Sequence, residues 1–593
     1  MTAPTPPRDP AAPGDPGDLP DDPGVVREPV DASGDLRDHE PTSGADHPSP
    51  RGGLRRGAAL MAGGTAVSRL LGFLRAMVLA AAIGATGQAA DAFAVANKLP
   101  NVLYMLLAGG VLNAVLVPQV VRAYKRKAGQ EYVDRLLSFG FAVLAAATVV
   151  LTIAAPLLVR LYADPGSSTQ LELATTFAYW CVPQLFFYGA YALLGQVLNA
   201  RGSFGPYMWA PVVNNIVSIA GFGVFILVFG VRSGTDEWTG AQVALFAGAA
   251  TLGVVMQALV LVPSLRRAGV GYRWRWGLRG SGLGRAGTVA TWTFVGLGIG
   301  QLGYVVVSRV ASAAPGAGAE AASHVAGNAA YDYAFMLFML PHSLVTVSLA
   351  TALFTRLSAR AHDGDVDGVR ADLSTGVRVV GIFTLLAGAG LAVLAWPVVR
   401  IVLPSQPEAA VSAVAGVVVA MAVGLPAFGA WSMCQRVYYA YEDARGMVPV
   451  QVAMALVVAG GTLLGQWLLP NQWWVAGAGL SMSVSYLLGT VLALRALRRR
   501  LDGDVDARGM LRTHVRAGTA AVLAAALGVG VLLLVRAYGP QGVVGAIVQC
   551  AAVGTVMVLV YLGLLRALHV RELDQLVGPL VRRVRRRAQG PAV

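Results

Sequence analysis

Residues 91–124 read DAFAVANKLPNVLYMLLAGGVLNAVLVPQVVRAY. The stretch is apolar enough to lie in a bilayer, yet it opens with Asp91, carries Lys98 about two turns later and places Pro100 in the same segment. Hydrocarbon offers these groups no water, so a charge that persists there faces a protein interior or a wet cavity. How the rest of the chain makes room for them decides the fold.

The surroundings set the class. Of the 593 residues, 55% are hydrophobic and 13% charged, against a charged share of about 25% in an ordinary soluble protein. Apolar blocks of roughly 20 residues follow one another nearly to the end, each long enough to cross the hydrocarbon core as a helix. They fall at 58–83, 91–121, 136–159, 173–199, 206–230, 240–264, 287–311, 327–355, 376–402, 409–437, 447–468, 473–495, 515–537 and 542–566. The expectation is an all-α polytopic membrane protein of about fourteen transmembrane helices. The three cysteines, Cys181, Cys434 and Cys550, sit inside these blocks and support neither a disulfide framework nor a metal cluster.

Charge tests the count, because Lys and Arg concentrate in cytoplasmic connections. Arg122/Lys125/Arg126/Lys127, Arg266/Arg267/Arg273/Arg275, Arg495/Arg498/Arg499/Arg500 and Arg582/Arg583/Arg585 all fall on connections of one parity. The other parity holds only Arg160, Arg232, Arg400 and Arg536. One span missed or invented would scramble that alternation. The expected topology therefore has both termini cytoplasmic, in a multi-pass protein of the cytoplasmic membrane. The net charge of +14 reads as a topology signal and an attraction to anionic head groups, not as a nucleic-acid interface.

Residues 1–55 differ. They are rich in Pro, Gly and Asp and poor in aromatics, a composition that cannot bury enough apolar surface to offset its ordering entropy. We expect a disordered acidic cytoplasmic tail. The remainder divides into a lobe over 56–285, a second over 286–500, two additional helices over 501–570 and a basic cytoplasmic tail over 571–593. The division rests on a weak internal repeat. KLPNVLYMLL around Pro100 parallels MLPHSLVTVSL around Pro341, and LNARGSFGPYMWAPVVNN (198–215) parallels YYAYEDARGMVPVQVAM (438–454). Two six-helix lobes of equal orientation follow, with a central cavity between them.

Few ionisable residues lie well inside the spans: Arg69, Arg75, Asp91, Lys98, Arg309 and Asp332. Each centrally placed charge costs about 2.5–3.5 kcal/mol on insertion scales. Arg69 and Arg75 are six residues apart, about 120° around a helix, so both can line one broad wall. The alternative is that Arg75 pairs with Asp91 across the short connection and Lys98 snorkels to an interface. A cavity with surplus positive charge suits an anion, and arginine's planar donors suit phosphate oxygens. Pro100, Gly109, Gly110 and Pro341 are the expected helix-bending positions.

SRLLGFLRAMVLAAAIGATGQAADAFAVANKLPNVLYMLLAGGVLNAVLVPQV (68–120) resembles the N-terminal signature of the MurJ (MviN) family, the lipid II flippases of the multidrug/oligosaccharidyl-lipid/polysaccharide exporter superfamily. The pattern is S-R-x-L-G-x-x-R, then D-A-F, then K-L-P-N. The resemblance implies two six-helix lobes around a V-shaped cavity, two further helices beside a groove for a polyprenyl tail, and movement of a lipid-linked peptidoglycan precursor between leaflets. It implies substrate contacts for Arg69, Arg75, Asp91, Lys98 and Asn101; where the family's further arginines are missing, Lys98 or Arg309 is the expected substitute cation. It implies a lipid-linked diphosphate, membrane lipids and the cell-wall synthesis machinery as partners, and no cofactor or metal. The chain departs from the family at Tyr104 and Met336, where arginine is usual, and at Gly109, where glutamate is.

Three rivals stand beside this reading: a flippase for another lipid-linked glycan, a cation-coupled drug exporter, and a non-transporting scaffold of the wall machinery. The drug exporter would favour carboxylates in the cavity, and an enzyme would need a catalytic cluster that the spacing of His and acids does not supply. Deleting residues 1–50 is expected to leave transport unchanged in a complementation assay; loss of transport would show that the tail does more than stay solvated.

Overall fold

A computed structural model describes residues 50–107, 130–236, 238–276, 284–317, 324–501, 503, 505–570 and 572. The described residues hold helices and no strand: α1 Pro50–Ile83, α2 Gln88–Leu107, α3 Gln130–Ile153, α4 Ala155–Tyr162, α5 Ser168–Cys181, α6 Gln184–Ala200, α7 Gly205–Phe229, α8 Gly240–Leu259 and α9 Leu261–Arg267. Then follow α10 Gly284–Ala313, α11 Asn328–Pro341, α12 Val347–His362, α13 Val366–Val393, α14 Ala395–Val402, α15 Glu408–Ala422 and α16 Leu425–Ala440. The last four are α17 Ala444–Leu468, α18 Trp474–Arg500, α19 Ala507–Tyr538 and α20 Gly542–Ala567. Helix is the only open element whose backbone groups are all satisfied within one segment, so lipid selects it.

Twelve described segments are long and apolar enough to span a membrane, thirteen when α15 and α16, bent by 48°, are joined as one. The expected count of fourteen is not reached by these alone. The shortfall is the expected 91–121 span. Its described part, α2, carries Gln88, Asp91, Asn97, Lys98 and Asn101, which hold its hydropathy down, and its remainder with Gly109 and Gly110 lies outside the described residues. Most of the 1–55 tail and the 573–593 tail also lie outside them.

Helix starts are legible in the chain. At one end of the bundle, Asp365, Asp443 and Asp506 each accept the backbone N–H three residues on, from Gly368, Gly446 and Gly509. A carboxylate at an N-cap satisfies an orphan donor and complements the helix dipole. This end also carries the 268–276 connection, tied down where Arg275 and Arg135 pair with Glu131 and hold its carboxyl below the usual range. We term it the basic end. The opposite, neutral end carries the 84–87, 163–167 and 403–407 connections.

Spans pack in two sets. In the first, α2 lies on α5, α3 on α6, and α7 and α6 on α8; in the second, α10 lies on α17, α17 on α18, α13 on α16, and α11 on α15. The hairpin of α19 and α20 joins the second set through α13 and α14. The cores reveal how the sets meet. At the basic end each has its own: Val133, Leu137, Leu193, Val197 and Leu265 in the first, Leu357, Leu373, Cys434, Val437 and Leu497 in the second. At the neutral end one continuous core joins residues of both, from Ile83, Phe93 and Phe246 to Ala311, Ala330, Val399 and Val414.

Phe93 anchors that shared core, its ring centroid 4.9 Å from Phe246 and 5.4 Å from Phe177. Phe93→Ala removes these contacts and leaves a cavity, so it is expected to destabilise the protein by about 3–5 kcal/mol, read as a lower thermal midpoint in detergent. An unchanged midpoint would mean the neutral-end core is not cohesive.

Candidate functional site

The two helix sets enclose a cleft whose floor is the shared core. Polar ties cross it at successive depths. At the outermost level Gln406 donates from Nε2 to the Ala80 carbonyl (2.8 Å) and accepts from the Ala85 N–H (3.0 Å). Beside it Arg309 pairs with Asp164 and donates to the Arg160 carbonyl, while the Asp164 N–H donates to Ser312 Oγ at 2.6 Å. Arg309 thus joins the sets at the neutral end and does not line the central cavity, against the sequence expectation. It sits near the end of α10, where a charge inside an apolar block still reaches a connection.

Deeper, Asp91 is fully buried in the first turn of α2, and its Oδ1 accepts the Ala329 N–H at 2.8 Å. It caps a helix of the other set: Asn328 and Ala329 open α11, whose first N–H groups have no intrahelical partner. Gly327 permits this approach, because a Cβ there would lie 1.8 Å from Asp91 Oδ2. The alternative pairing of Asp91 with Arg75 does not occur. Seven residues on, and so on the same face of α2, Lys98 pairs with Asp332 of α11. Its Nζ lies 4.1 Å from the Tyr304 ring centre and 5.5 Å from that of Tyr331, a cation held against two aromatic faces. Sequence reading noted Asp332 as a stray intramembrane charge but missed Tyr304, Tyr331 and Gly327, whose roles exist only once α2 meets α10 and α11.

Above these ties a cavity of about 410 Å³ opens, lined by Lys98, Val102 and Met105 of α2 and by Gln301, Tyr304 and Tyr486 among others of the second set. Gln301 Oε1 is buried without a hydrogen-bond partner among the described residues. On α1, Arg75 is half-buried, with Tyr188 and Cys181 of the first set and Tyr333 of the second within electrostatic reach; the Tyr333 hydroxyl donates to the Ala76 carbonyl at 3.3 Å. Among the described residues neither Arg69 nor Arg75 forms an ion pair. Asn101 is exposed on α2, three residues past Lys98.

The bending positions behave unequally. Pro100 is buried and leaves α2 unbroken, whereas Pro341 is followed by a π-helical turn, His342–Thr346, that shifts the register between α11 and α12. Tyr104 packs its ring 6.0 Å from Tyr188, and Met336 packs against the shared core, so neither position contributes a cation. Among the described residues no group of three or more His, Cys, Asp and Glu is placed to hold a metal ion.

The chain is similar to known membrane proteins in sequence and in fold. A relative from Rhizobium tropici described as a probable lipid II flippase MurJ is 27% identical over 446 residues, covering 74% of this chain and 80% of its own. Among solved structures, a lipid II flippase MurJ in an inward closed conformation superposes with a TM-score of 0.64 at 18% identity, covering 88% of this chain and 100% of that one. An inward-facing multidrug resistance MATE family transporter of the MOP superfamily gives 0.58 at 16% identity, over 73% of this chain and 94% of that one. These structures establish the shared polytopic fold. The family model described as lipid II flippase MurJ matches residues 79–552, most of the chain, and the chain belongs to that family.

Proposed function

We propose that this protein carries lipid II, the polyprenyl-diphosphate-linked peptidoglycan precursor, from the inner to the outer leaflet of the cytoplasmic membrane. The observation that supports the reading is that the two α1 arginines, Arg69 and Arg75, have no carboxylate partner among the described residues, in a protein whose two helix sets wall a cavity; in this reading both face it. An uncompensated guanidinium at membrane depth is costly unless an anion or water reaches it. A diphosphate supplies the complementary oxygens, and each charge-assisted bond contributes about 1.5–3 kcal/mol.

In this reading the basic end is cytoplasmic, as are both termini, and the lobes are 56–285 and 286–500, with 501–570 appended. The cleft then opens to the cytoplasm, where the precursor is loaded. The ties of Gln406, Arg309–Asp164, Asp91 and Lys98–Asp332 close the outer side. Release outward requires them to part and the basic-end surfaces to meet. Lys98 is a cleft cation that is already paired, so an incoming diphosphate competes with Asp332 for it and loosens a tie between the lobes. An inside-negative potential assists outward movement of an anion by about 2.3 kcal/mol per charge at 100 mV. The protein acts as a transporter rather than an enzyme, with the lipid-linked diphosphate and membrane lipids as partners. Tyr104 and Met336 favour one second reading, a flippase for another polyprenyl-diphosphate glycan whose head group needs fewer cations.

Depleting the protein is expected to accumulate lipid II in the inner leaflet, measured by leaflet-specific labelling; no accumulation would remove lipid II as the substrate. Arg75→Ala should insert and fold normally yet lower transport by about tenfold or more, the equivalent of one lost charged bond, with Arg75→Lys retaining part of it. Normal growth of cells dependent on Arg75→Ala would count against a diphosphate-binding cleft. Bridging Asp164→Cys to Arg309→Cys with a short thiol-reactive linker should stop transport, whereas continued transport would mean that the outer side never needs to open.

A further inference from the structure

A second polar cavity, of about 470 Å³, lies at the neutral end between α14, α15 and the α19–α20 hairpin. None of its lining residues lines the central cavity. Glu408 and Ser412, one turn apart on α15, form one wall; Trp396 of α14 and Arg536 of α19 form another. The Arg536 guanidinium lies 4.7 Å from the Trp396 ring centre, which fixes its position. Gln549 of α20 forms the floor. It is 5% exposed, and its Oε1 has no hydrogen-bond partner among the described residues.

Three features of this cavity point to one ligand chemistry. Glu408 is an exposed carboxylate with no cation paired to it among the described residues, and Arg536 is a guanidinium with no carboxylate paired to it there. Opposite charges in one cavity that do not pair leave room for a molecule carrying both signs. The buried Gln549 oxygen asks for an N–H or O–H donor, which a primary ammonium supplies and a quaternary one does not. The cavity's place among span ends, between Tyr538 and Gly542, sets it at head-group depth, and Gln549 lies about 10 Å below the start of α20.

We propose that this cavity binds the phosphoethanolamine head group of a membrane phospholipid, with its ammonium between Glu408 and Gln549 and its phosphate on Arg536. The site is separate from the translocation cleft and joins the appended hairpin to the second lobe through a bound lipid.

The test is native mass spectrometry of the full chain in detergent, titrated with phosphatidylethanolamine, phosphatidylcholine or phosphatidylglycerol of matched acyl chains. Phosphatidylethanolamine is expected to bind about tenfold tighter than either of the others, the scale of one charged hydrogen bond. Glu408→Gln and Gln549→Leu should abolish that preference, and Arg536→Gln should weaken binding of phosphatidylethanolamine. Should Gln549→Leu fail to fold, Glu408→Gln, at an exposed position, carries the test by itself. Soluble glycerophosphoethanolamine should displace the lipid, whereas free glycine should not. Equal binding of the three lipids, a preference that persists in Glu408→Gln, or displacement by glycine as effective as that by glycerophosphoethanolamine would overturn the assignment.

Discussion

One asymmetry governs this protein: its two helix sets share a continuous apolar core at the neutral end and keep separate cores at the basic end. Packed interiors are close to solid, so in this conformation the sets are held together where they share a core and are parted where they do not. The cleft is the consequence. Polar ties sit on top of the shared core, each joining an α1, α2 or α5-side group to α10, α11 or the 403–407 connection. The Asp91 carboxylate capping α11 is the most enclosed of them, and its second oxygen has no partner. Such a contact is costly to keep and easily weakened, which suits a surface that must open and reclose.

The α2 helix is where these demands converge. Its Phe93 belongs to the aromatic core of the first set, while Asp91 and Lys98 reach the second. The helix therefore holds both helix sets at once, and the ionic residues that lowered its hydropathy are the ones that make it a connector. On α1, Arg75 has tyrosines of both helix sets within electrostatic reach and forms no ion pair among the described residues. The contrast between a compensated Lys98 and an uncompensated Arg75 is the chemical basis for reading one as a latch and the other as an anion site.

The sequence was informative wherever a property repeats along one helix. Span positions follow from apolar length, and the two ends of the bundle from the parity of Lys and Arg. It was uninformative wherever a property arises between helices. Arg309 looked like a cavity cation because hydropathy cannot tell how close a charge lies to a connection; Asp164, which takes it, lies 145 residues away. Gly327 carries no mark in the sequence, because its role is set by a carboxylate from α2 that occupies the space of its missing Cβ. Arg75 and Asp91 suggested a pair by proximity in the chain, yet Asp91 turns to α11 and accepts the Ala329 N–H instead.

The most direct measurement is of distances between spin labels in the full chain in lipid nanodiscs, with and without lipid II. One pair reports on the basic end, Arg267→Cys with His362→Cys, and one on the neutral end, Thr169→Cys with Ser405→Cys; all four positions are exposed. Exchange of the open side makes the first distance shorten as the second lengthens once lipid II is present. A neutral-end distance that stays fixed while lipid II is transported would contradict the account, since the shared core would then be a permanent floor and not the closed face of a cleft that alternates.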